Sequence, residues 1–379
     1  MPRLTSATAW FVTLGAIVCC GAQRDDSSIR GAADVISPVA STAPTATNPP
    51  TSNSASSEGN VRVDPTHCPP GTAAATMNGL AVCKTASGVP LFDHVFLVVL
   101  ENMSLNTFGE GTTPNLDALR AGNAIATDYH GVSHPSLPNY IALTSGDTQG
   151  IACDCRASAA TVCTSSCSLL AENCACTRGV RNLADQIEDA KKTWMAYGEG
   201  MGSPCNLDDL QSAKYAVRHV PFLYYDNVQK DAGRCRSHVV DLLPGGIALG
   251  SDAPAFQFVA PNLVHDGHDP QAPGFHATNL ANIDAFIGPL ANAITTSDAY
   301  KNGGLFVIVF DEDDNSGFPT ADDPIPLLVL SPYAKKKFQS VKKANHYSLL
   351  ATIEDGLALE GRLGKAAAAD ALGDFFPNQ

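Results

Sequence analysis

A chain of 379 residues, 44% of them hydrophobic, carries enough apolar material for a sizeable core. Its formal net charge of −14 argues against a nucleic-acid binder, which normally carries a basic stripe, so no nucleic-acid partner is expected. A local cationic or metal-bearing site for an anionic substrate is compatible with that balance.

Residues 1–22 read as an export signal. Arg3 gives the positive start, and "ATAWFVTLGAIVCCG" is an apolar run shorter than a membrane span. Two fates stay open: cleavage after "CGA", or lipidation at Cys19 or Cys20 in "AIVCC" as the one link to a membrane. Residues 23–65, rich in Ser, Thr, Pro and Ala, read as a disordered tether. Residues 66–90 form a cysteine-clipped leading segment, and 91–379 a catalytic domain with a cysteine-rich insertion at 153–176. Ten cysteines lie beyond the signal, an even number that reads as disulfides in an exported chain. Cys68 with Cys83 would clip the leading segment, and Cys205 with Cys235 would close a loop. Zinc is the alternative for the six in "CDCRASAATVCTSSCSLLAENCAC", but that stretch has no histidine and no common zinc spacing. Pairing among those six stays open.

Apolar periodicity gives the elements in chain order. "HVFLVVLEN" (94–102) has the pattern of a strand buried on both faces. "TPNLDALRAG" predicts a short helix capped by Thr113 and stopped by Gly122. "HPSLPNYIALTSG" (134–146) predicts a sharp helix start near Ser136 or Leu137, because proline fits a first turn but not a helix interior. Such a start leaves backbone N–H groups at the positive end of the helix dipole, a place suited to an anion, with Ser136 in its mouth. "NLADQIEDAKK" follows as a helix, then "TWMAYGE" and "FQFVAPN" (256–262) as strands. "NLANIDAFIGPLANAITTS" predicts one or two amphipathic helices broken near Pro289. "GLFVIVFDEDDN" (304–315) and "PIPLLVLSP" are strands, and "NHYSLLATIEDGLAL" is a closing helix. This alternation predicts an α/β fold with a mostly parallel central sheet flanked by helices.

In such sheets ligands gather at the carboxyl ends of strands. Glu101-Asn102, the stretch from Asn262 to Asp269, and Asp311-Glu312-Asp313-Asp314 stand at those ends. Carboxylates beside buried strands are unfavourable when unpaired, and a hard divalent cation satisfies several at once. "DEDDN" alone reads as a solvated turn. Joined with Glu101-Asn102 and Ser136 it becomes a set: ligands for a cation, and a hydroxyl to activate. "NLVHDGHDP" adds His265, Asp266, His268 and Asp269, while His346 opens the last helix and His134 precedes Ser136. Histidines so placed suit a second metal or proton donation to a leaving oxygen, and equally suit structural roles.

The segments "HVFLVVLENMS", "PNLDALRAG", "HGVSHPSLPNYIALTSGDTQGI", "NLADQIEDAKKTWMAYGE", "YAVRHVPFLYY", "FVAPNLVHDGHD", "AYKNGGLFVIVFDEDD" and "NHYSLLATIEDGLAL" fall in one order. That order resembles the phosphoesterase family of secreted bacterial acid phosphatases and phospholipases C, within the alkaline-phosphatase-like superfamily. The resemblance runs from Asp93 to Leu359 and departs from the pattern at Met103, where many relatives carry histidine. It implies Glu101 and Asn102 as a metal-side pair, Ser136 in "SLPN" as nucleophile, and Asp311 with Glu312 as a second metal-side pair. It places Asp266, His268 and His346 near a second metal or the leaving group.

Residues and resemblance together predict an exported, bacterial phosphomonoesterase, extracellular, periplasmic or surface-anchored. A divalent cation on Glu101, Asn102, Asp311 and Glu312 activates Ser136, which forms a phosphoserine. His268 or His346 protonates the leaving alcohol, and Asn139 donates to a phosphate oxygen. A phospholipase C-type diesterase on the same residues is the alternative. A non-catalytic surface binder stands third, since it has no need to keep Glu101, Ser136, Asp311 and Glu312. The expected partner is a small-molecule or lipid phosphate ester, with no obligate protein partner.

Overall fold

The two longest apolar runs become neighbouring strands at the centre of one sheet. A computed structural model describes residues 64–108, 112–158, 174–243, 246–269, 275–314 and 323–377, all within the compact unit Ser56–Gln379. The export signal and nearly all of the expected tether fall outside the described residues, as do Cys163 and Cys167.

In chain order the strands and helices begin with a hairpin, β1 (Thr72–Met77) and β2 (Leu80–Thr85), followed by β3 (Val95–Leu100) and α1 (Pro114–Gly122). Then come β4 (Ala124–Ala126), β5 (Tyr129–His130), α2 (Ser136–Ser145), α3 (Leu183–Asp189) and β6 (Trp194–Gly198). The next are α4 (Asp226–Gln229), α5 (Ala232–His238), β7 (Val239–Asp241), β8 (Phe256–Ala260), α6 (His276–Thr296) and α7 (Asp298–Lys301). The chain closes with β9 (Leu305–Phe310), β10 (Leu327–Leu330), β11 (Phe338–Ser340), β12 (Ala344–Asn345) and α8 (His346–Gly356). Eight strands form the main sheet in the order β11-β4-β10-β9-β3-β8-β6-β7. Within it β10 runs antiparallel to both neighbours and the other described pairs are parallel. This is the mostly parallel α/β sheet that the sequence predicts.

Every residue of β3 and β9 is buried, as branched and aromatic side chains covered on both faces require. Because β8, β3 and β9 are adjacent and parallel, their carboxyl ends open on one edge. Three disulfides are described: Cys68–Cys83, Cys155–Cys176 and Cys205–Cys235. Cys153 and Cys174 are also disulfide-bonded. The sulfurs of Cys153, Cys155 and Cys176 lie within 4.8 Å of one another, but as disulfides they are not the thiolates a zinc ion needs.

Two expectations are corrected. The break near Pro289 does not occur; α6 runs unbroken from His276 to Thr296. Pro289 lies on the exposed face, and so does Ala285, whose freed carbonyl water can satisfy. Thr113 makes no side-chain cap for α1. The acceptor comes instead from α6, where Asp284 takes the Leu116 N–H at 2.8 Å and the Asn115 amide at 2.8 Å. A β-carbon on Gly288 would meet Asn115 at 2.5 Å, so the small residue permits this approach of the two helices. Among the described residues no helix is long and apolar enough to cross a membrane.

The buried carboxyl of Glu354 on α8 accepts the Leu363 N–H at 2.7 Å, and burial pushes its pKa up to about 7. The folded chain therefore holds this proton to a higher pH than the unfolded chain does. Any stability from it is complete below the ordinary value near 4.5 and is lost as pH rises towards 7. Glu354→Gln should raise stability at pH 8 by roughly 2–3 kcal/mol and change little at pH 4. Thermal melts of both proteins at the two pH values check this; equal shifts at both would contradict it.

Candidate active site

Glu101 and Asn102 leave the carboxyl end of β3, Asp266 lies beyond β8, and Asp311 and Glu312 leave β9. Backbone bonds lock these ends together. The Glu101 N–H donates to Asp266 O (2.9 Å), the Asp311 N–H to Leu100 O (2.9 Å), and the Met103 N–H to Glu312 O (3.0 Å). Asn102 adopts a left-handed conformation (φ 43°), which asparagine tolerates better than most residues. Asp311 Oδ1 accepts the Asn102 N–H at 3.2 Å and the Glu312 N–H at 2.7 Å.

Ser136 is the first residue of α2 and is 2% exposed. Its hydroxyl donates to Glu101 Oε2 at 2.7 Å. Tyr140, one helical turn on and hence on the same face, donates to the other oxygen, Oε1. The loop before α2 presses against Asp311, and a β-carbon on Gly131 would meet the Asp311 carbonyl at 2.9 Å. Only glycine fits there.

His219 completes the set. It is 1% exposed, stacked on the Tyr140 ring (centroids 5.3 Å apart), with Nε2 3.3 Å from Glu101 Oε1 and Nδ1 3.2 Å from Asp266 Oδ2. The adjacent Arg218 places Nε 3.5 Å from Asp154 and Nη2 3.3 Å from His268 Nε2. His268 Nδ1 lies 3.0 Å from Asp269 Oδ1, a pattern that suits a neutral ring. Burial and Arg218 lower the pKa of His268. His134 sits 3.1 Å from Glu312 Oε2 and 3.7 Å from Asp313, and its bond to Glu312 raises its pKa.

Burial raises the pKa values of Glu101, Asp266, Asp311 and Glu312, and mutual repulsion adds to the rise at Glu101 and Asp311. Burial also lowers that of His219, so the ring between two carboxylates is disposed against charging. Asn102 Oδ1, Asp266 Oδ2, Asp311 Oδ2 and both His219 nitrogens are buried without a hydrogen-bond partner. Oxygen-rich, anionic and unsatisfied, this donor set fits a hard divalent cation.

Other expected site residues have partners of their own. His346 is fully buried, with Nδ1 2.9 Å from the Tyr129 hydroxyl and Nε2 2.6 Å from Asp311 O. Burial depresses its pKa to about 4, and the ring braces the Asp311 backbone. Asn139 spends its amide hydrogens on Ser133 O (2.8 Å) and Glu312 Oε2 (3.1 Å), and its oxygen accepts from Val132 and Ser133. That ties down the loop and leaves no donor for phosphate. The start of α2 is also less open than its prolines imply, because the Leu137 N–H donates to Asp154 at 2.9 Å. His265 pairs with Glu199 at 2.7 Å.

A family model described as the phosphoesterase family matches residues 41–360. The chain belongs to the phosphoesterase family. This phosphoesterase is 29% identical over 274 residues to a phosphatidylinositol-3-phosphatase of Mycobacterium tuberculosis, an alignment covering 71% of this chain and 78% of that protein. It is 25% identical over 292 residues to an acid phosphatase of Aspergillus fumigatus, covering 74% of this chain and 58% of the other. The match to the phosphate-repressible acid phosphatase of Penicillium chrysogenum is 25% identical over 60% of this chain and 50% of that one. The chain thus spans about half the length of these fungal relatives. Among solved structures, murine ectonucleotide pyrophosphatase / phosphodiesterase 5 has a TM-score of 0.49 at 11% identity, covering 75% of this chain and 100% of that one.

His219, Arg218, Tyr140 and Asp154 carry no assignment from sequence. The stretch "YAVRHVPFLYY" contains the first two, but nothing local marks a histidine between apolar residues as part of a site. Tyr140 follows Ser136 by one helical turn, a spacing that puts the two on one face.

Proposed function

We propose that this phosphoesterase hydrolyses phosphate monoesters through a phosphoserine formed on Ser136. The observation that carries this reading is the buried Ser136 hydroxyl, aimed at Glu101 at the start of a helix and between two acidic strand ends. Kinship with a phosphatidylinositol-3-phosphatase and with acid phosphatases supports phosphate esters, soluble or lipid-borne, as the substrate class. Disulfides support export, since they persist in oxidising compartments.

Glu101 Oε2 accepts the Ser136 proton as Oγ attacks phosphorus, and Tyr140 steadies the other carboxylate oxygen. The bond from phosphorus to the ester oxygen breaks, and that oxygen takes a proton from His134. Its pairing with Glu312 keeps His134 charged to higher pH than His268 or His346. Water then attacks phosphorus and gives a proton to His134, the bond from phosphorus to Ser136 Oγ breaks as Glu101 returns its proton to the hydroxyl, and inorganic phosphate leaves. Glu101, Asn102, Asp311 and Glu312 would hold a divalent cation, which when bound supplies Lewis acidity and screens phosphate charge. Asp266 holds the His268 N–H at 2.8 Å and orients His219 towards Glu101.

This proton donor gives a specific expectation. His134→Ala should lower kcat about 10²-fold for alkyl phosphates, whose leaving oxygens need a proton, and far less for p-nitrophenyl phosphate. Steady-state kinetics on both esters check it. Equal losses would remove His134 from the donor role, and no hydrolysis of any phosphate ester by the unmodified protein would sink the function itself.

A further inference from the structure

The edge strand β11 stands out by its charge. Residues 335–343, "KKKFQSVKK", hold five of the chain's 24 Lys and Arg residues and no carboxylate, in a protein of net charge −14. β11 is parallel to β4, β4 is antiparallel to β10, and β10 is antiparallel to β9. β11 therefore runs with β9, and its carboxyl end opens on the edge of the sheet that bears Asp311 and Glu312. Three strand spacings separate the two, about 15 Å. Val341, Lys342 and Lys343 follow that end directly and are exposed, Val341 by 78%. The chain then passes through β12, paired with β5, to His346, whose ring holds the Asp311 carbonyl. The basic tip is thus built into the frame of the site.

We propose that Val341, Lys342 and Lys343 dock the protein on an anionic lipid surface, with the catalytic edge of the sheet turned towards it. The proposal rests on the hydrolase reading above and adds how the site reaches lipid-borne esters. It needs no lipid on Cys19 or Cys20. Charge complementarity selects an anionic partner, because the acidic neighbours of the tip are already engaged. Asp128 pairs with His130 at 2.7 Å, and Asp374 accepts the Ser340 hydroxyl at 2.6 Å. Val341 selects a lipid surface: an apolar side chain beside lysines enters the headgroup region while the ammonium groups meet lipid phosphates. Lysines on an edge strand also discourage pairing with another chain, but that role needs no exposed apolar neighbour. The lysines at the far end of β11 are more engaged. Lys335 Nζ donates to Asp374 O at 2.8 Å, and Lys336 Nζ to Asn123 Oδ1 at 3.0 Å.

The test is co-sedimentation of the full chain with phosphatidylcholine vesicles, with and without phosphatidylglycerol. The anionic vesicles should bind the unmodified protein more tightly, and high salt should erase the difference. Lys342→Gln with Lys343→Gln should weaken anionic-vesicle binding about 30-fold, and Val341→Ser about threefold. Lys336→Gln with Lys337→Gln, at the far end of β11, should weaken it less than the first pair does. All variants should stay folded by circular dichroism and keep the unmodified rate on p-nitrophenyl phosphate, which needs no surface. Equal binding to both vesicles, or an undiminished anionic preference without Lys342 and Lys343, overturns the proposal. So does self-association of that variant with vesicle binding intact, which would leave the lysines as guards of the edge strand. A loss as large from the Lys336 and Lys337 pair overturns the orientation. Vesicle binding needs no turnover, so a protein that docks in this pattern but hydrolyses no phosphate ester keeps the docking surface and loses the hydrolase reading.

Discussion

Ser136→Ala should lower kcat/KM for phosphate esters by at least about 10⁴-fold, the scale of losing a nucleophile. The fold should survive the change. Ser136 is not the cap of α2, whose capping position is Pro135, and the first-turn N–H of Leu137 is served by Asp154 instead. What the substitution removes from the folded state is one hydrogen bond to Glu101 Oε2, while Tyr140 still serves the other oxygen. That should cost about 1–3 kcal/mol, well short of unfolding a domain of this size. Kinetics beside a thermal melt separate the two effects. A folded Ser136→Ala protein with ordinary activity would return Ser136 to the status of a helix residue.

Asp311→Asn should be nearly as damaging, for a different reason. Asp311 is 1% exposed; its Oδ1 accepts two backbone N–H groups, and its Oδ2 has no hydrogen-bond partner. Asparagine keeps the first set of bonds and replaces the anionic oxygen with an amide. Activity should fall at least about 10²-fold, and bound divalent metal, read by elemental mass spectrometry, should fall with it. Stability of the metal-free protein should move the other way. Burial and repulsion raise the pKa of Asp311, so ionising it opposes folding once the pH passes the ordinary value near 3.8, and removing the charge stabilises the chain there. A variant that keeps full activity, or an unmodified enzyme indifferent to chelation, would contradict the metal-side role.

What the sequence disclosed followed from how local each signal is. β3 and β9 are unbroken apolar runs with their acidic residues attached directly, so Glu101, Asn102, Asp311 and Glu312 could be placed at strand ends before any fold was known. Ser136 was visible because proline restricts where a helix can start. His219, Arg218 and Asp154 were not, because their partners lie far along the chain and only the packing of the insertion and the "VRHVPF" turn brings them together. His346 is the opposite case. It stands at a helix start near the site, but its ring turns onto the Asp311 backbone. The antiparallel direction of β10 was equally hidden, since a four-residue apolar strand reads the same either way. Pro289 looked like a break because sequence does not say which face of a helix meets water.

The covalent step at Ser136 is the centre of the proposed mechanism. The direct measurement is a rapid acid quench of the enzyme turning over a ³²P-labelled monoester, followed by peptide mapping by mass spectrometry. Labelled phosphate on the peptide containing Ser136, absent from the Ser136→Ala protein, is the predicted result. Turnover with no labelled protein at any quench time, or label on another side chain, would contradict it.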